Sequence, residues 1–273
     1  MLLERINYQD AAGVVLIGVL KEACLKVHAR TKGIAGTARG NRQLGRGAGG
    51  DISKRIDLVA EKTVIELLKK RKVDATIIGE ECGRIEGKKG YVIMDAIDGT
   101  TNASRRIPFY CCSLAYATDF RLSAVTHAAI IDLANGDLYY ASKGKGAFCN
   151  GKRIRVKEAG DDVVIGMNVS AIGDDVVKRL APVMRKASHV RLFGAVALEL
   201  CYLARGWLDA SIDLRGKIRP TDIAAAYLIV KEAGGKIYSG GSELDAELGI
   251  KTRIPFVAVA HDSVANVFGK SLV

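Results

Sequence analysis

The residues with the most chemistry in them are carboxylates. Glu80 and Glu81 follow Ile78-Gly79, and Asp95 and Asp98 stand in Met94-Asp95-Ala96-Ile97-Asp98-Gly99-Thr100-Thr101-Asn102. Each group comes directly after a short apolar run that reads as a buried strand. Carboxylates at strand ends face a shared crevice, where mixed sheets bind ligands. Asp95 and Asp98, three apart with a turn expected between them, can converge on one point. Asp222, in Arg219-Pro220-Thr221-Asp222 ahead of a helical pattern, contributes from a later part of the chain. Hard oxygen donors without His or Cys favour Mg²⁺, or Mn²⁺, over zinc. The Gly99-Thr100 step offers backbone N–H groups at the start of a helix, which suits a phosphate. The chemistry these parts suggest is metal-assisted phosphoryl hydrolysis. Divalent ions there would neutralise the phosphate, lower the pKa of a water and stabilise the leaving oxygen. Plainer readings exist for each piece. Glu80-Glu81 alone makes a solvated turn, Asp222 a helix N-cap, and the Asp95–Thr100 spacing an Asx-capped turn. Only the conjunction favours chemistry.

The elements that must position these residues follow from periodicity. Residues 8–30 carry Ala11, Val14, Val15, Gly18, Val19 and Ala23 at helical spacing. Seven glycines between Gly33 and Gly50 then predict a mobile loop, 32–50, that holds neither helix nor strand. A second helix is expected over 51–70, with Ile56, Val59, Ala60, Val64 and Leu67 on one face. Short β-branched or aromatic runs at 76–78, 91–94, 112–117, 124–132 and 138–141 read as strands, with Asn135-Gly136 and Asn150-Gly151 as hairpin turns. Beyond residue 160 strands and helices alternate: strands at 163–169, 189–193, 207–212, 236–238 and 256–260, helices at 174–186, 195–204 and 223–233. The expected fold class is α/β (α+β), an antiparallel N-terminal lobe (1–158) followed by a mixed-sheet C-terminal lobe (159–273). Trp207 is expected in the core of the second lobe.

Composition narrows the function classes. The 273 residues are 49% hydrophobic, enough to fill a sizeable core. The longest early apolar run, 11–20, is too short to span a bilayer, and Glu4 and Asp10 ahead of it do not suit a signal peptide. Six cysteines without a CxxC pattern indicate reduced, cytoplasmic thiols. Cys111 and Cys112 read as packing residues, Cys82 as one open to oxidation beside the metals, and His127 as structural. Only two glutamines, Gln9 and Gln43, occur beside abundant charge, a thermophile-like composition. The net charge is +11, and +7 of it lies between Lys26 and Arg55, where eight basic residues meet one acid, Asp51. A surplus of that size first suggests nucleic acid. Its confinement to one glycine-rich segment favours small anionic phosphates instead.

GEE (79–81), DAIDGTTN (95–102) and TDIAAAYLIVKEAGG (221–235) closely resemble the signature segments of the inositol monophosphatase family. The likeness extends through GDISKRIDLVAEKTVIELL (50–68) and FGAVALELCYLARGWLDASID (193–213), in the family's order and spacing. It implies a layered αβαβα sandwich, generally a homodimer, working with two to three Mg²⁺ per site. Glu80, Asp95, the carbonyl of Ile97, Asp98 and Asp222 would be the metal ligands. Thr100, held by Asp57, would orient the attacking water with help from Glu80, and the amides of Gly99 and Thr100 would hold the phosphate. The loop between the first two helices would help complete an additional metal site.

Departures from the family pattern bear on substrate. Thr221 stands where Trp is usual, and the segment before it is two residues longer, so either Asp213 or Arg215 could meet the substrate. An arginine there, or Arg191 just before Gly194-Ala195-Val196, could pair with a second phosphate. Both features resemble archaeal-type members that hydrolyse inositol monophosphate and fructose 1,6-bisphosphate, which implies a place in gluconeogenic carbohydrate metabolism. The rival readings are a nucleotide phosphatase acting on PAP or NADP, and a basic nucleic-acid-binding or regulatory protein on the same fold.

Overall fold

The computed structural model describes residues 8–268, apart from Asp51 and Ala159. The side chains of Ala11 and Val14, and the expected helix start at Asp51, lie outside the described residues.

Two helices form the outermost layer, α1 (Tyr8–Thr31) and α2 (Arg55–Lys70). Leu20, Ala23, Cys24 and Val27 of the first, and Ile56, Ala60, Val64 and Leu67 of the second, bury one stripe each against a sheet. Val15, expected on that stripe, is 65% exposed. Between the helices the glycine-rich segment does hold a strand, contrary to expectation. β1 (Gln43–Arg46) pairs antiparallel with β2 (Ile52–Lys54), and α2 therefore starts four residues later than its pattern suggests. Every residue of β1 is exposed, so burial gave its sequence no apolar alternation to betray it.

The sheet beneath has eight strands: β3 (Thr76–Gly79), β4 (Gly83–Ile85), β5 (Tyr91–Asp98), β6 (Cys111–Ala117), β7 (Val125–Asp132), β8 (Leu138–Ser142), β9 (Gly146–Cys149) and β10 (Lys152–Ile154). Its order is β10-β9-β8-β7-β6-β5-β3-β4, antiparallel except where β3 runs parallel to β5. A short helix, α3 (Thr100–Arg105), leaves the end of β5. Asn150 and Gly151, with φ of 49° and 82°, make the tight turn between β9 and β10.

A second sheet has six strands: β11 (Val164–Met167), β12 (His189–Arg191), β13 (Ala210–Ile218), β14 (Lys236–Ser239), β15 (Ser242–Glu243) and β16 (Ile254–Val259). Parallel pairs β12-β11-β13 meet antiparallel partners from β16 onward. Between the two sheets lie α5 (Val196–Ala204) and α6 (Pro220–Glu232), whose apolar residues on all sides join one core with both sheets. On the far face, α4 (Asp174–Lys186) and α7 (Asp262–Phe268) cover the second sheet. The layers run helix, sheet, helix, sheet, helix. The fold is the expected αβαβα sandwich. Trp207 is not in its core: the indole is 47% exposed, with the Arg205 guanidinium 4.0 Å from the ring centre and Tyr202 edge-on at 4.8 Å. An indole half covered by a cation and another ring needs no deeper burial.

Candidate active site

Asp95 and Asp98 reach the same cavity because β5 is irregular. In a regular strand, residues three apart point to opposite faces. The pairing of β5 with β6 shifts register between Asp95 and Asp98, and the Ile97 amide donates to Asp95 Oδ1 at 3.2 Å. This bulge turns both carboxylates to one side. Gly99 then takes φ +90°, a left-handed conformation that permits the abrupt entry into α3. Asn102 on α3 donates from Nδ2 to the carbonyls of Phe109 and Phe193, both at 2.7 Å, and so fixes the chain leading to Gly194.

Two helix starts supply further acids. Asp57 is the third residue of α2, and its Oδ2 accepts from the Lys54 amide at 2.8 Å. Its Oδ1 lies 3.3 Å from Thr100 Oγ1, a hydroxyl also 3.1 Å from the Ile97 carbonyl. Asp222 is the third residue of α6, and its Oδ2 accepts from the Arg219 amide at 2.9 Å. The plain helix-start reading of Asp222 is thus realised in part, at the third helical position rather than the N-cap. Glu80 follows β3, in a turn anchored by Glu61. That buried side chain of α2 accepts from the amides of Glu81 and Cys82 at 2.9 and 2.8 Å. Nothing in the sequence reading singled out Glu61. Its signal is an acid one turn after Asp57 on an otherwise apolar face.

Two adjoining cavities of about 670 and 490 Å³ meet over these residues, sharing Glu80, Asp95, Ile97, Gly99 and Thr100 as walls. Gln43 and Arg46 of the glycine-rich segment and Lys54 of β2 line the first. Asp98, Asp222, Arg215, Lys217 and Asn168 line the second. Burial above all, then the charges of Glu80, Asp98 and Asp222, holds the Asp95 carboxyl well above the usual carboxylate range. Burial raises Asp98 to about 7 against the amide of Ala197, which donates to its Oδ2 at 2.7 Å. Asp57 is raised to about 6, again mainly by burial. Acids that raise one another in this way call for a cation, and an all-oxygen set fits Mg²⁺ or Mn²⁺. As the side chains stand, no three His, Cys, Asp or Glu among the described residues enclose an ion by themselves. Arg219 Nη1 sits 2.7 Å from Glu80 Oε1.

Asp213 and Arg215 differ in burial. Asp213 is fully buried and takes the Arg215 guanidinium on both oxygens, with Nη2 to Oδ2 at 2.5 Å and Nε to Oδ1 at 3.0 Å. Arg215 therefore lines the cavity and Asp213 stands behind it. Lys217, two residues on in β13 and on the same wall, escaped the sequence reading. Gly194 and Val196 line the second cavity, and the buried Ala195 between them does not. Arg191 lies elsewhere: exposed at the edge of the second sheet, its Nη1 donates to the neighbouring Val190 carbonyl at 3.1 Å. Cys82 stands beside Glu61, and burial first, then the Glu61 charge, pushes its thiol up to about 12. So high a pKa opposes the oxidation expected of it.

A layered sandwich with buried acids converging where sheets and central helices meet is an arrangement suited to holding divalent ions. The inositol monophosphatase family profile matches residues 8–262. A fructose-1,6-bisphosphatase/inositol-1-monophosphatase of Methanothermobacter thermautotrophicus is 36% identical over 89% of this chain and 91% of its own. A bifunctional NADP phosphatase/NAD kinase of Methanococcus maripaludis is 34% identical over 87% of this chain but only 46% of its own. A crystal structure of an inositol monophosphatase-fructose 1,6 bisphosphatase superposes with a TM-score of 0.84 at 28% identity, covering 94% of this chain and 98% of that one. The chain belongs to the inositol monophosphatase family, a family of phosphatases. Among the described residues, no helix is long and apolar enough to cross a membrane.

Proposed function

We propose that the chain is a Mg²⁺-dependent phosphomonoesterase that hydrolyses inositol monophosphate and fructose 1,6-bisphosphate, working as a cytoplasmic homodimer. The observation that carries this reading is the meeting of two cavities over one set of acids: the Asp57–Thr100 pair lines the first, Arg215 and Lys217 line the second, and Asp95 and Thr100 line both.

Glu80, Asp95, the Ile97 carbonyl, Asp98 and Asp222 would hold the divalent ions. Bound there, the ions would neutralise the phosphate and acidify a water. The chain's own groups do the rest. The Gly99 and Thr100 amides hold the phosphate at the head of α3. Thr100 orients the attacking water, and Asp57 accepts the threonine's proton and holds the hydroxyl in that direction. Arg215, its plane fixed by Asp213, pairs with a second phosphate together with Lys217.

A second reading, NADP phosphatase, is favoured by the Methanococcus maripaludis relative. Purified protein offered inositol 1-phosphate, fructose 1,6-bisphosphate, PAP and NADP with Mg²⁺ decides between them. Phosphate release from the first two, abolished by EDTA and restored by Mg²⁺, is the expected result. Release from NADP alone would replace this reading with the second.

A further inference from the structure

Asp57 and Thr100 come from different elements, 43 residues apart, and their contact is a long one, 3.3 Å between Oδ1 and Oγ1. Lys54, the last residue of β2, reaches both members of the pair. Its backbone amide donates to Asp57 Oδ2 at 2.8 Å. Its ammonium donates to Ser104 Oγ on α3 at 2.6 Å, across 50 residues of chain. Ser104 Oγ in turn donates to the Thr100 carbonyl, also at 2.6 Å. The contacts close a ring that runs from the Lys54 amide through Asp57, Thr100 and Ser104 back to the Lys54 ammonium.

Chemistry fixes the direction of the bonds at Ser104. An ammonium has three donors and no acceptor, so Ser104 Oγ accepts from Lys54 and keeps its one hydrogen for the Thr100 carbonyl. A serine that donates four residues back is ordinarily a local feature of a helix. Here the same oxygen also takes a charged donor from another element, which makes the tie a charge-assisted one. Asn41 adds a further tie, its Nδ2 donating to the Ser104 carbonyl at 3.0 Å. Ser104 thus joins α3 to β2 and to the glycine-rich segment together. No side chain in the ring is among the proposed ion ligands. Lys54 lines the first cavity and Ser104 lines neither.

We propose that Lys54 and Ser104 are positioning residues for the hydrolysis: they close the ring that sets the approach of Asp57 to Thr100, and so hold the threonine hydroxyl toward the water. The inference rests on the reading of that pair as the one that orients the nucleophile. Because α2 follows directly on Lys54 and α3 begins at Thr100, slack in the ring separates the two helix starts. Misplacement of a reacting group by about 1 Å is enough to cost about 10²-fold in rate.

The test uses full-length protein with saturating Mg²⁺ and fructose 1,6-bisphosphate. Ser104→Ala, and Lys54→Met, which keeps the backbone amide, are each expected to lower kcat about 10–100-fold with KM little changed. In a Thr100→Ala background, Ser104→Ala should alter kcat by less than about twofold, because the hydroxyl it positions is gone. A merely structural serine would cost the same factor in both backgrounds. That result overturns the inference and leaves the phosphatase reading intact, as does a loss carried by KM. No phosphate release by wild type overturns both. Crystals give a readout without turnover. In Ser104→Ala the Asp57 Oδ1 to Thr100 Oγ1 distance should open beyond hydrogen-bonding range, and an unchanged distance sinks the proposal. Wild-type crystals guard against a variant that fails to fold: Lys54 Nζ and Ser104 Oγ found apart would also sink it.

Discussion

Asp57 and Asp222 occupy equivalent places in two different helices. Each is the third residue, each accepts from the amide three residues earlier, at 2.8 and 2.9 Å, and each turns its other oxygen to a threonine hydroxyl, Asp57 Oδ1 to Thr100 at 3.3 Å and Asp222 Oδ1 to Thr221 at 3.4 Å. One carboxylate thus serves a helix start and the site together. For Asp57 the two roles are separable, because an asparagine can still accept at the helix start but cannot take a proton from Thr100. Asp57→Asn should therefore keep the melting temperature within a few degrees while kcat falls about 10²–10⁴-fold with KM little changed. Thr100→Ala should lose a similar factor, and the double variant little more than either alone, because the two act as one unit. Losses that multiply in the double variant would show that the pair does not act together.

The Asp213–Arg215 pair joins stability to substrate choice. Asp213 is fully buried, so Arg215→Ala leaves a carboxylate without its partner, a change that typically costs about 3–5 kcal/mol. Asp213→Asn combined with Arg215→Ala should recover part of that loss in thermal unfolding. On substrates, Arg215→Ala should lose fructose 1,6-bisphosphate hydrolysis more than inositol monophosphate hydrolysis, and by more than Arg191→Ala does. Equal losses on the two substrates would mean that Arg215 does not read a second phosphate.

Glu199 gives the pH dependence its clearest source away from the metal ligands. It is fully buried on α5, accepts from Ser211 Oγ at 2.5 Å on one oxygen, and has no hydrogen-bond partner for the other. Burial raises it from 4.5 to about 8. The neutral acid is what the folded state prefers, so its contribution is complete below about 4.5 and is lost as pH rises through about 8. With saturating Mg²⁺, wild-type melting temperature should fall between pH 5 and 9, and Glu199→Gln should flatten that slope and be the more stable protein at the alkaline end. Parallel curves for the two proteins would locate the titration elsewhere.

Much of the arrangement is legible in the chain because burial writes periodicity into it. The stripe of α2, the apolar runs of β5 and β6, and the all-round apolar α6 each fix an element from local pattern alone. Asp95, Asp98, Gly99 and Thr100 are legible for another reason: the turn alone has plainer readings, but it stands with Glu80 and Asp222 in segments that resemble a known family. What escaped are features decided by distant partners. The exposed strand β1 carries no apolar alternation, and only its pairing with β2 makes it a strand. Arg219 looks like a helix-start residue until Glu80 and Gly49 are brought beside it. Lys217 joins the cavity through the side to which β13 turns it. Trp207 shows the converse error: expected in the core, it follows the last turn of α5 and stays half exposed.

The bulge that brings Asp95 and Asp98 to one side also places them opposite Asp222, which enters from the central helical layer. Asp98 and Asp222 are about 120 residues apart along the chain. A divalent ion held by both would be a cross-link as well as a reagent. Closing a loop of that length with a fixed tie removes disorder from the unfolded chain worth on the order of 5 kcal/mol if the tie behaves as a disulfide does. The same ion would then serve as the chain's removable staple, lending heat resistance to a protein whose six cysteines form no disulfide.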